Sequence, residues 1–141
     1  MKNLTFCSLF LCMYSNIHFQ IPTFANKDIA RIIVYTVEKG KERFIGVTEI
    51  SIKKNINASK IEIADAKCLN EIQKKIKELK EMKGVRSINN IFMLCEITYK
   101  DASRQTLSFE DSNNGLIKIG NKIYSNSNSL ESWLLFCQSN P

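Results

Sequence analysis

The sequence predicts an α+β protein: a single antiparallel β-sheet of five to six strands, one long amphipathic helix packed on one face, and a short C-terminal helix. Three observations carry this. Short runs of β-branched and apolar residues recur between polar turns along most of the chain. One stretch, 66–82, repeats its apolar residues at helical spacing instead. Most of the strand runs are joined by connections of a few residues, which makes neighbouring strands antiparallel.

The chain opens on Lys2 and an uncharged apolar run, 4–14, followed by Pro22-Thr23-Phe24-Ala25. A basic tip, a short apolar run and a small exit residue read as a secretory signal peptide, residues 1–25, leaving 26–141 as one domain. The run is about 11 residues long where a membrane span needs about 20. Asn16, His18 and Gln20 interrupt its continuation. Cys12 follows Phe10 and Leu11, not the small residues that precede a lipid-anchored cysteine. An earlier cut near Ser15 or Asn16 is the competing position. The expectation is an extracytoplasmic protein, periplasmic or secreted, with no transmembrane anchor after processing.

Residues 29–37 are β-branched and apolar, as suits a buried strand. After a polar break around Gly40, residues 44–52 read as the returning strand of a hairpin. Asn57-Ala58-Ser59, in the polar connection that follows, is an N-glycosylation acceptor sequence if the source is eukaryotic. Ile61 and Ile63 alternate with Lys60 and Glu62, which predicts a further short strand. In 66–82, Cys68, Leu69, Ile72, Ile76, Leu79 and Met82 form one helical stripe. Asp65 is its expected N-cap and Gly84 its left-handed stop. Glu71 with Lys75, and Lys77 with Glu81, stand four apart on its surface.

Residues 91–99 form a nearly continuous apolar run, as expected of a central strand. Leu107 and Phe109 alternate with Thr106, Ser108 and Glu110. Asn113-Asn114-Gly115 marks a turn, and Gly120-Asn121 joins 116–119 to 122–124 in a tight hairpin. Asn128 and Glu131 have capping-box spacing, opening a last helix with Leu130, Trp133, Leu134 and Cys137 on its apolar stripe. The alternating strands leave the second sheet face partly polar, and a ligand or partner is expected to dock there.

The formal charge is +6, and +5 without the leader, which holds one lysine and no acid. The base is 16 Lys against 4 Arg, and arginine is the preferred residue for bidentate phosphate contacts, so nucleic acid is not an expected partner. The helix lysines Lys74, Lys75, Lys77, Lys80 and Lys83 are interleaved with Glu71, Glu78 and Glu81, as on a solvated face. A polyanion or anionic-lipid binder using that face is a third reading. Cys68, Cys95 and Cys137 lie beyond the leader, so at most one internal bridge can form. Three small buried hydrophobes is the leading expectation, with Cys137 the most reactive thiol because chain ends fray.

The histidine, His18, falls inside the expected leader, so a chain cut after Ala25 runs no Ser-His-Asp or Cys-His mechanism and lacks the commonest metal ligand. No metal or cofactor is expected. Glu49 and Glu96 are acids inside apolar runs, and paired carboxylates hydrolyse glycosides. Solvation on the open sheet face explains them more simply. The expected function is therefore binding without catalysis, through a protein partner: an inhibitor, an immunity-type protein or an envelope accessory. Its surface would lie around Glu49, Glu96, Thr98 and Tyr124. A histidine-independent hydrolase built on Glu49 and Glu96 is the alternative. Trp133 is expected in the core, but an exposed tryptophan there would be a binding hot spot.

Overall fold

The computed structural model describes residues 23–38, 48–85, 87–88, 90–111, 115–125 and 127–139. They form one antiparallel seven-stranded sheet with three α-helices, the α+β class the sequence predicts, with slightly more strands. A short 3-10 turn, Thr23–Asn26, leads into β1 (Ile29–Thr36). Helix α1 (Glu49–Lys54), β2 (Ser59–Ile63), α2 (Ala66–Lys77) and β3 (Lys80–Glu81) follow. Then come β4 (Ile91–Tyr99), β5 (Arg104–Glu110), β6 (Ile117–Ile119), β7 (Lys122–Ser125) and α3 (Asn128–Ser139). The strand order is β2-β1-β4-β5-β6-β7-β3, so the continuous apolar run of β4 lies inside the sheet, as its composition requires.

The expected return strand over 44–52 is corrected. Residues 44–47 lie outside the described part, and 49–54 are helix. The cause is local. The Thr48 side chain accepts from the Ser51 backbone and the Ser51 hydroxyl from the Thr48 backbone, a capping box that starts a helix and outweighs the β-branched pattern. The strand paired with β1 on that edge is β2 instead, with Ile32 opposite Ile63 and Val34 opposite Ile61.

The long helix starts as expected: the Asp65 side chain accepts from the Cys68 backbone N–H at 2.9 Å. It ends earlier than expected, at Lys77. Lys80 and Glu81 leave it to pair with Ser125 and Tyr124, supplying backbone partners to the free edge of β7. Gly84 is left-handed, with φ +85°, but beyond this strand, not at the helix end. Along this surface Lys74 pairs with Glu71 and Lys75 with Glu78, each three apart, and the charge of Lys75 also acts on Glu71 as its spacing of four suggests, whereas Glu81, expected beside Lys77, pairs with Lys122. At α3 the first helical bond runs from the Glu131 N–H to the Ser127 carbonyl, so Ser127, not Asn128, stands at the cap position.

Antiparallel register and side-chain alternation divide the sheet into two faces. Ile32, Val34, Cys95, Ile97, Leu107, Phe109, Ile117 and Ile119 share one face and are buried. Helices α2 and α3 cover it, burying Cys68, Leu69, Ile72 and Ile76 of α2 and Leu130, Leu134 and Cys137 of α3. Cys68 and Cys137 form a disulfide that ties the two helices together. The expectation of three free thiols is thereby corrected, and Cys137, buried and bridged, is not the reactive one. Helical pattern puts both sulfurs on the inward stripes of helices that pack on each other, which brings them within bonding range. Cys95 stays free and buried, and burial pushes its thiol far above the usual range.

Candidate functional site

The other sheet face carries Arg31, Ile33 and Tyr35 of β1, Leu94, Glu96 and Thr98 of β4, Arg104, Thr106 and Ser108 of β5, and Lys118 of β6. Helix α1 lies across it, packed on β4 and β1 with Ile52 fully buried. This placement makes α1 a bridge between two carboxylates. Glu49, at its start, accepts from the Ser108 hydroxyl at 2.8 Å and from Lys118 Nζ at 3.1 Å. One turn on, Lys53 Nζ donates to Glu96, which also accepts from the Tyr35 hydroxyl at 3.2 Å. Lys60 then sits over the Tyr35 ring, and Arg31 pairs with Glu62 at the sheet edge.

The electrostatics of Glu49 follow from these contacts. Burial alone would push its carboxyl up. The hydrogen bonds from Ser108 and Lys118 and the charges of Lys118 and Lys53 outweigh that and hold it below the ordinary carboxylate range. Both acids are paired with lysines. A general acid for glycoside cleavage must keep its proton near neutral pH, which Glu49, held low, does not suit.

The structure brings Glu49, Glu96 and Thr98 to one face, although Glu49 arrives there on a helix and not on a strand. Tyr124 does not join them. It lies on the opposite face, 2% exposed, where its ring meets Phe24 edge-on at 6.4 Å. The reason is register: Tyr124 pairs with Ile117, whose side chain points into the core, whereas Lys118 beside it points to the α1 side.

A second surface lies on α3. Trp133 is half-buried and meets Phe136 edge-on at 5.3 Å. Phe136 is 55% exposed and Leu135 37%. The serines on the same outer stripe have their hydroxyls engaged within the helix: Ser132 donates to the Asn128 carbonyl at 2.8 Å and Ser139 to that of Leu135 at 3.1 Å. Such serines can leave water without losing a hydrogen bond. The helix contains no lysine or arginine, in a chain with 20 of them. Sequence reasoning missed Phe136 because it follows Leu134 and Leu135 in a run that reads as core. The signal available was its position two residues past Leu134, off the buried stripe.

Among the described residues no cluster of histidine, cysteine and carboxylate side chains could hold a metal ion, and no helix is long and apolar enough to cross a membrane. No family model, no curated protein and no solved structure matches this chain.

Proposed function

We propose that this chain is a small exported binding protein, non-enzymatic, that acts through another protein docked on the outer stripe of α3. An inhibitor, an immunity-type protein or an envelope accessory would each use such a surface. The observation that carries the reading is the Trp133–Phe136 pair beside Leu135. Aromatic clusters with a half-buried anchor are the usual centres of binding energy, and contiguous exposed apolar patches, unlike single exposed side chains, mark contact sites. The cation-free helix also lets a partner approach a basic molecule without meeting a desolvated lysine.

Two other readings are weaker on this geometry. A hydrolase built on Glu49 and Glu96 would need both carboxylates open to a substrate, but Glu49 is taken up by Lys118 and Ser108 and Glu96 by Lys53 and Tyr35. A polyanion binder would draw on the lysines of α2, but Lys74 is paired with Glu71 and Lys75 with Glu78, which weakens the net positive field of that face.

The test is retention of a partner from the native extracytoplasmic fraction by immobilised protein, with Phe136→Lys as the control and circular dichroism confirming its fold. One protein held by the wild type and reduced about tenfold by Phe136→Lys supports the reading. Equal retention by both, or hydrolysis of envelope polysaccharide by the wild type, contradicts it.

A further inference from the structure

We propose that Asn57 is an acceptor site for an N-linked glycan, added as the chain is exported. This rests on the export reading. Asn57-Ala58-Ser59 has the Asn-x-Ser pattern with a residue other than proline in the middle. The pattern is short, and it acts only where the fold leaves it on a surface loop. The fold does so here. The three residues occupy the connection between α1 and β2. The Asn55 side-chain oxygen accepts from the Asn57 N–H at 2.9 Å, and the Asn55 carbonyl from the Ala58 N–H at 3.0 Å, which closes a turn. Ala58 is half-buried against the core and anchors the turn at its middle. Asn57 and Ser59, on either side, are exposed. Ile56, just before them, is 96% exposed, so the turn stands clear of the body. Neither the Asn57 amide nor the Ser59 hydroxyl makes a hydrogen bond among the described residues.

The fold therefore spends neither polar group of the pattern on itself. A bulky sugar on Asn57 breaks no hydrogen bond and extends into solvent. The donor class is an oligosaccharide carried on a lipid diphosphate. A bond forms from Asn57 Nδ2 to the sugar C1, and the bond from C1 to the diphosphate oxygen breaks. The diphosphate leaves with the lipid, and one Nδ2 proton passes to solvent. The Cys68–Cys137 bridge suits the same setting, because disulfides persist in the oxidising compartments of the export route. Asn3-Leu4-Thr5, the other such pattern in the chain, falls in the expected leader and outside the described residues.

The test is the intact mass of the full chain expressed in a eukaryotic secretory host, before and after peptide N-glycosidase. Secreted wild type is expected to carry sugar mass that the enzyme removes, converting Asn57 to aspartate. Asn57→Gln and Ser59→Ala should lose that mass, and Ser59→Thr should keep it, with circular dichroism confirming the fold of each. Secreted wild type without sugar, or equal sugar mass on wild type and Asn57→Gln, overturns the inference and leaves export standing. A chain held in the cytosol with Met1 in place overturns the export reading, and this inference with it.

Discussion

Helices α2 and α3 press Ile72, Ile76, Leu130 and Leu134 onto one side of the sheet, and a disulfide joins them. On the other side α1 spans a row of side chains that ends in Lys118–Glu49 and Lys53–Glu96 ion pairs. The same strands supply both sides, because alternate residues point opposite ways. The dry side gains from area removed from water and loses heavily when a group is removed. The clamped side gains little per pair, since its charges stay partly solvated, but its hydrogen bonds fix where α1 lies. Stability and orientation are thus separated across one sheet.

The largest expected effect lies on the dry side. Cys68 and Cys137 are 69 residues apart, so opening the bridge frees a long loop in the unfolded chain. Reduction, or Cys68→Ser with Cys137→Ser, should cost about 3 kcal/mol in urea unfolding. A cost near zero would mean that α3 is held by packing alone.

The next effect sharpens the account of the dry side. The Tyr99 hydroxyl is buried with no hydrogen-bond partner among the described residues, and burial together with the Asp101 charge pushes it up to about 12. Tyr99→Phe removes an unsatisfied group and should stabilise by about 1 kcal/mol in the same unfolding assay. Destabilisation by that much would reveal a partner for the hydroxyl.

The smallest effect lies on the clamped side. Glu49 is held below its ordinary value, 4.5. Its contribution is therefore present above that value and lost as the pH falls through the lower, folded-state one. Glu49→Gln should cost no more than about 1 kcal/mol at pH 7, because solvent screens the pair, and that cost should be smaller at pH 3. Urea melts at the two pH values check this, and a cost that persists undiminished in acid would show that packing, not charge, is at stake.

Much of the fold was legible in the sequence because its signals were local and unopposed. The apolar run 91–99, the Asp65 cap and the Gly120 turn each name their element. The misreadings arose where a local pattern met a competing demand. Residues 49–54 look β-branched, but the Thr48 capping box decides for helix. Lys80 and Glu81 continue a helical pattern, but the open edge of β7 takes them. The polar face was foreseeable from alternation, and Glu96 with Thr98 falls there. That Tyr124 points the other way depends on register between β6 and β7, which alternation within one strand does not reveal. The lysine partners of Glu49 and Glu96 come from 69 and 43 residues away in the chain and leave no local trace.

The proposed function puts partner binding on α3 and not on the clamped sheet face. Once the partner is in hand, titrating it against two variants tests this most directly. Glu49→Gln with Glu96→Gln should change affinity by no more than about threefold, chiefly through association rate and salt dependence. Leu135→Ser with Phe136→Ser should weaken it by about a hundredfold, the loss expected at an aromatic hot spot. The reverse order of effects would contradict the account and place the interface on the α1 side.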